Sequence, residues 1–134
     1  MSHSQAQPTQ VTTRKPDQVV VIEIRGRLTL SSGACGRLRT EVGRALEAGE
    51  RRFVIDLESV TKIDSSGFGE LVAAHNQVSA HNGALVLANP TARFLRYLSV
   101  HMMDQSIGGG PYDSVQSAID GLRKLSLPAP QDET

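Results

Sequence analysis

A strand pattern runs into a helix pattern in the middle of the chain, on either side of residues 62–71. Phe53, Ile55 and Leu57 recur at every second position, which is the period of a strand. From Phe68 onward, the residues of one face recur at steps of three and four, which is the period of a helix. The stretch between the two patterns is therefore a strand-to-helix turn. It carries an acid, two adjacent hydroxyls and two glycines, namely Asp64, Ser65, Ser66, Gly67 and Gly69.

The acid and the hydroxyls of this turn fit two different roles. Ser and Asp are common N-caps, because their oxygens accept the free N–H groups of a first helical turn. A hydroxyl at that position also suits a phosphate, since the helix dipole is positive there. The two glycines lower the helix propensity of this segment, and capping alone does not require them. They keep the turn slim enough for another protein to approach. The pattern alone leaves capping and phosphorylation both open.

Strand and helix patterns alternate along the rest of the chain. Apolar runs predict strands at residues 19–24 and 84–88, and Leu28 and Leu30 extend the first of them. Helical stripes predict three further helices, marked by Leu38, Val42, Ala45 and Leu46, by Phe94, Leu95 and Leu98, and by Val115, Ala118, Ile119 and Leu122. This alternation predicts an α/β domain with a largely parallel sheet. We expect one core that contains Leu57, Leu71, Val86 and Leu122.

Capping residues and polar ends define the expected boundaries. Asn89 followed by Pro90 is expected to cap the third helix, and Asp113 the last one. The polar N-terminal stretch has no apolar period, although an edge strand near Val11 stays open. The predicted organisation is a flexible tail at residues 1–17, one domain at residues 18–126 and a second tail at residues 127–134.

Composition excludes several classes of protein. The chain has 134 residues with 14 basic and 14 acidic side chains, and this balance argues against nucleic acid as the main partner. Cys35 is the only cysteine, so no intrachain disulfide is possible and a reducing compartment is expected. Neither a signal peptide nor a run of eighteen apolar residues is present. The sequence therefore predicts a soluble, cytoplasmic protein without a membrane segment.

Motifs for catalysis are missing. A nucleophile elbow needs Gly two residues before the serine, but Ile63 and Asp64 stand there before Ser65 and Ser66. No Gly-Lys-Ser/Thr tripeptide exists for a P-loop. His75 and His81 are six residues apart, so they do not share a helix face as a metal-binding pair would. The sequence predicts no catalytic residue, no metal, no cofactor and no enzymatic activity.

The central turn resembles the signature of STAS domains, in particular of bacterial anti-sigma factor antagonists. The likeness centres on residues 60–71, with Asp-Ser-Ser-Gly-Phe-Gly at 64–69, and spans about Val19 to Leu125. It includes the Gly26-Arg27-Leu28 turn and the stretch at 83–90. The resemblance implies a mixed sheet of four to five strands, with about four helices packed mainly on one side.

The resemblance also implies a phosphorylation switch. In such antagonists the first serine after the Asp, here Ser65, is phosphorylated by an anti-sigma factor that is itself a serine kinase. The unphosphorylated antagonist binds this kinase and releases a sigma factor for transcription, and a serine phosphatase restores the binding form. The implied partner-binding and switch residues are Asp64, Ser66, Gly67, Phe68, Gly69 and Thr29. Thr29 stands where these antagonists usually carry Asp.

Two other functions stay open at this point. One is a STAS module without a switch, which serves in a transport or signalling assembly. The other is a nucleotide-binding STAS domain. A pure scaffold needs no acceptor hydroxyl at Ser65. Whether Ser65 is phosphorylated therefore distinguishes the switch from the first alternative.

Overall fold

Strands and helices alternate through the computed structural model, which describes residues 9–92, 94–96, 111–125 and 127. The strands are β1 (Gln10–Arg14), β2 (Val20–Leu28), β3 (Arg52–Asp56), β4 (Val60–Ile63) and β5 (Ala84–Ala88). The long helices are α1 (Ala34–Glu47), α2 (Ser65–Ala80) and α3 (Val115–Arg123), and residues 92 and 94–96 form a further helical segment. Short 3-10 turns occupy Pro16–Gln18 and Leu30–Ser32. The predicted α/β class is confirmed.

Within the described residues the sheet is mixed and has five strands in the order β1-β2-β3-β5, with β4 paired to β2. β1 runs antiparallel to β2, whereas β3, β4 and β5 all pair in parallel. β3 pairs with the first half of β2, and β4 pairs with its last residues, 26–28. Because β2 and β4 run in the same direction, the loop after β2 and the start of α2 lie at the same edge of the sheet.

The sheet separates two hydrophobic cores, so the expectation of a single core is wrong. Leu57 and Leu71 belong to the larger core, which α1, α2 and Phe94 cover on one face. Val86 and Leu122 belong to a smaller core under α3 on the other face. The reason is that successive strand side chains point to opposite faces, and the central strands are buried on both. Most helical packing is nevertheless on one side, as expected.

Two predicted helix caps are wrong by one or two residues. Ser114, not Asp113, caps α3, and its hydroxyl accepts a hydrogen bond from the Ser117 N–H at 3.0 Å. The Thr91 hydroxyl accepts from the Phe94 N–H at 3.1 Å, whereas Asn89 is left-handed at φ 56° and donates to Asp56. In each case a hydroxyl one or two residues later in the loop accepts from a free amide of the first helical turn.

Several residues differ in environment from the sequence expectation. Residues 10–14 fall in the predicted tail but form β1, the edge strand considered near Val11. Thr9 fixes its start, because the Thr9 hydroxyl donates to the Arg27 carbonyl at 2.9 Å and accepts from the Arg27 N–H at 3.1 Å. Leu95 is 43% exposed rather than buried. Leu98, residues 1–8 of the first predicted tail and residues 128–134 of the second lie outside the described residues.

Candidate partner-binding site at the start of helix α2

Asp64 caps helix α2. Its backbone is extended, and its Oδ1 accepts a hydrogen bond from the Gly67 N–H at 2.8 Å. This bond, with a lesser one from the Leu30 N–H, holds the pKa of the Asp64 carboxyl below its usual value, although desolvation acts in the opposite direction. The carboxylate is therefore ionised at neutral pH, beside the positive end of the helix dipole.

The second carboxylate oxygen of Asp64 holds the loop that follows β2. Its Oδ2 accepts from the Leu30 N–H at 3.2 Å. The Asp64 N–H also donates to the Leu28 carbonyl, at 3.4 Å. One side chain thus connects the end of β2 to the first turn of α2, which makes the two segments parts of a single site.

Ser65 and Ser66 differ in exposure. Ser65 is the first residue of α2 and is exposed, whereas Ser66 is half-buried. The next positions turn inward, because Gly67 and Phe68 are both buried. The Phe68 ring packs against the Phe94 ring, with centroids 5.9 Å apart. Of the two adjacent hydroxyls, that of Ser65 is the more accessible to another protein.

The two glycines of the turn differ in the space around their Cα atoms. Gly67 lies against the end of β2, and a Cβ built on it would be 2.0 Å from the Leu28 carbonyl oxygen. Gly69 is exposed, and a Cβ there would meet nothing within 4 Å. Internal packing therefore requires Gly67, while only Gly69 fits the expectation of a glycine that leaves room for a partner.

Thr29 belongs to the same site. It directly follows β2, is only 6% exposed, and begins the 3-10 turn at Leu30–Ser32. Its N–H donates to the Ser32 hydroxyl at 3.3 Å, and that hydroxyl donates back to the Thr29 carbonyl at 2.9 Å. Since the next residue binds Asp64, the structure brings together all the predicted switch residues, from Thr29 to Gly69.

Sequence reasoning missed Leu30, which it assigned to a strand. Its side chain is 73% exposed, in the turn that Asp64 holds. The signal was present in Ser31-Ser32-Gly33, because Ser favours tight turns and Gly33 takes the left-handed conformation at φ 79°. These residues end the strand before Leu30 rather than after it.

Catalytic and metal-binding groups do not gather here. His75 lies on the same continuous helix as Ser65 but ten residues later, which is about 15 Å along the axis. It is therefore not a base for Ser65. Over the described ranges, no three acidic, histidine or cysteine side chains are grouped to hold a metal ion.

A groove opens beside β4. Its volume is about 180 Å³, and it is lined by Leu57, Val60, Thr61, Lys62, Ile63, Thr91 and Phe94. Pockets for small molecules usually measure about 300–1,000 Å³. The groove is therefore too small to favour nucleotide binding.

In the part of the chain that is described, no helix is long and apolar enough to cross a membrane.

Comparison with known proteins identifies the family and the fold. The family model of the STAS domain matches residues 10–118. A candidate anti-sigma factor antagonist from Thermotoga maritima is 23% identical, with a TM-score of 0.75 over 85% of this chain and 95% of that chain. The anti-sigma factor antagonist SpoIIAA in its unphosphorylated form is 24% identical, with a TM-score of 0.65 over 87% of this chain and 99% of that chain.

The likeness extends beyond such antagonists. A sulfate transporter family protein from Wolinella succinogenes is 19% identical, with a TM-score of 0.65 over 82% of this chain and 88% of that chain. At these identities the solved structures establish a shared fold only. No curated protein sequence matches the chain.

Proposed function

The chain belongs to the STAS domain family, and from that premise we propose that it is an anti-sigma factor antagonist switched by phosphorylation at Ser65. In its unphosphorylated form it binds an anti-sigma factor with serine kinase activity, and phosphorylation releases it. A serine phosphatase restores the binding form. The protein thus acts in the cytoplasm as a kinase substrate and binding partner in transcription regulation, not as an enzyme.

The observation that carries this proposal is the exposed Ser65 hydroxyl at the first position of α2. A kinase can reach this hydroxyl, whereas Ser66 is half-buried. The capping bond from Gly67 to Asp64 fixes the backbone on both sides of Ser65. A phosphate on Ser65 also lies at the positive end of the helix dipole, which offsets part of its charge within the domain.

The same geometry explains how a phosphate weakens partner binding. Phosphorylation adds about −1.5 to −2 charges and three strong acceptor oxygens to a surface that was neutral at Ser65. Asp64 is ionised next to it, so the local negative charge accumulates. Only ~1.4 kcal/mol at the interface changes the affinity tenfold. The fold is retained while an interface shaped around a hydroxyl is lost.

The proposal is tested by incubating the wild-type chain with ATP and each serine-kinase anti-sigma factor encoded by the same genome. Mass spectrometry should place the phosphate on Ser65. Ser65→Ala should abolish incorporation, whereas the matched control Ser66→Ala should keep it. Ser65→Asp should weaken kinase binding in a titration without ATP. Phosphate on Ser66 with Ser65 unmodified would show that Ser65 is not the acceptor. If none of the kinases transfers phosphate to the chain, the switch itself is contradicted.

A STAS module without a switch remains the second candidate, supported by the likeness to the sulfate transporter family protein. For such a module, the Ser65 hydroxyl has no part in binding. Ser65→Ala and Ser65→Asp would then bind the partner assembly as tightly as the wild type, which separates the two functions.

A further inference from the structure

Leu30 is an unusually exposed apolar side chain. Among the described residues, three large apolar side chains are exposed: Leu30 at 73%, Leu125 at 45% and Leu95 at 43%. Single exposed leucines are ordinary on protein surfaces, so exposure alone carries no argument. What distinguishes Leu30 is how its backbone is held and what lies beside it.

The turn around Leu30 is fixed by hydrogen bonds on both sides. The Ser32 hydroxyl accepts from the N–H groups of Thr29 and Ala34, at 3.3 and 3.2 Å, and donates to the Thr29 carbonyl at 2.9 Å. The Ser32 N–H also donates to that carbonyl, at 3.2 Å. The leucine is thus presented to solvent by a closed 3-10 turn.

Asp64 couples this turn to the serine. Its Oδ2 binds the Leu30 N–H at 3.2 Å, while its Oδ1 binds the Gly67 N–H at 2.8 Å across Ser65. A single carboxylate therefore sets the positions of an exposed apolar side chain and of an exposed hydroxyl. Because one carboxylate holds both backbones, the exposed residues Leu30 and Ser65 belong to the same site.

We propose that Leu30 is the apolar anchor by which the partner protein docks at the Ser65 turn, an inference that rests on the proposed function. The partner presents an apolar pocket for Leu30 beside the part of its surface that contacts the Ser65 hydroxyl. Burial of a leucine supplies affinity that a neutral hydroxyl does not. A phosphate on Ser65 is strongly hydrated, so a partner cannot exclude water from Leu30 without also dehydrating the phosphate. The anchor thus acts only in the unphosphorylated state.

The experiment measures binding of Leu30→Ala to the serine-kinase anti-sigma factor that binds the wild-type chain most tightly. Leu125→Ala, which removes an exposed leucine beyond the end of α3, is the matched control. We expect Leu30→Ala to weaken binding about tenfold to a hundredfold and to raise the KM for phosphorylation of the chain, with kcat unchanged. Leu125→Ala should change neither quantity. Both variants should melt close to the wild-type temperature, because Leu30 is 73% and Leu125 45% exposed.

The outcomes separate the anchor from the proposed function. If the wild type binds a kinase and Leu30→Ala binds it equally well, the anchor is refuted while the switch stands. If Leu30→Ala melts well below the wild type, its effect on binding is one of folding, and the anchor is again refuted. If the wild type binds none of the kinases, the proposed function itself fails, and the anchor with it.

Discussion

Gly67→Ala is expected to destabilise the protein, because Gly67 lies against the backbone of Leu28. A Cβ at residue 67 would lie 2.0 Å from the Leu28 carbonyl oxygen and 2.9 Å from its carbonyl carbon, whereas such contacts are essentially never below 3.0 Å. Leu28 has little freedom to yield, since its strand pairs with β4 and its carbonyl accepts from the Asp64 N–H at 3.4 Å. The new methyl group must therefore displace α2 from the sheet.

Two opposing terms set the size of the effect. Added methyl groups in a packed interior cost about 1–3 kcal/mol, and a clash with backbone belongs at the upper end. Alanine in place of glycine in a helix recovers about 1 kcal/mol. We expect Gly67→Ala to lower the free energy of unfolding by about 2 kcal/mol. Gly69→Ala has open space for its Cβ, so it should be neutral or stabilising by up to about 1 kcal/mol.

Urea denaturation of the two variants and the wild type measures these values directly. The comparison is internal, because both substitutions add one methyl group to the same helix two residues apart. If Gly67→Ala unfolds at the same urea concentration as Gly69→Ala, then α2 does not rest on Leu28, and the close approach described here is wrong.

Two further predictions concern the core and the pH dependence. Leu71 is fully buried in the larger core, so Leu71→Ala should cost ~2–5 kcal/mol in denaturant unfolding, and a loss below ~0.5 kcal/mol would mean that α2 is not packed as described. Desolvation lowers the pKa of His75, and a hydrogen bond with the Leu85 backbone acts in the opposite direction. The pKa of His75 is therefore lower in the folded than in the unfolded state. The contribution of His75 to stability is complete above about pH 6.5 and is lost as the pH falls through the folded pKa. The wild type should therefore lose more stability than His75→Gln between pH 7 and pH 5 in thermal melts at each pH, and equal losses would contradict the burial of this imidazole.

The sequence predicted elements wherever burial imposes a period. β3, β5, α1, α2 and α3 all bury an apolar stripe or an apolar run, and all were predicted. β4 was not predicted, and β1 stayed open as an edge strand near Val11, because their side chains are mostly exposed or half-buried and no alternation of apolar and polar residues marks them. Their hydrogen bonds to β2 are long-range, and local sequence does not reveal them.

The site shows the same division between local and long-range information. The cap by Asp64 is local, and the sequence indicated capping at Asp64 to Ser66 as one of two open roles for this turn. The hydrogen bond from the Leu30 N–H to Asp64 joins positions 34 residues apart. Gly67 is required because a Cβ at this position would clash with the Leu28 carbonyl group. Both depend on the pairing of β4 with the end of β2. Resemblance to a family selected the candidate residues, and the fold supplies a structural reason for Asp64 and Gly67.

Thr29→Asp tests the electrostatics of this site, because it introduces the acid that the family resemblance associates with the position. Thr29 is 6% exposed, and the next residue binds the Asp64 carboxylate. A second carboxylate there would be desolvated and repelled by Asp64, so its pKa would rise above its unfolded value. The penalty is then complete at pH 7 and disappears as the pH falls below about 4. Thr29→Asn, which has the same shape as Asp without the charge, is the control.

We expect Thr29→Asp to melt below Thr29→Asn at pH 7 and to match it in acid. Phosphorylation of Ser65 adds further negative charge, so it should lower the melting temperature of Thr29→Asp more than that of the wild type. The resemblance also implies that an Asp positions the acceptor hydroxyl for the kinase, so Thr29→Asp should be phosphorylated faster. Equal pH profiles for the two variants, with equal phosphorylation rates for Thr29→Asp and the wild type, would mean that residue 29 does not interact with the Asp64 carboxylate and serves only to end β2.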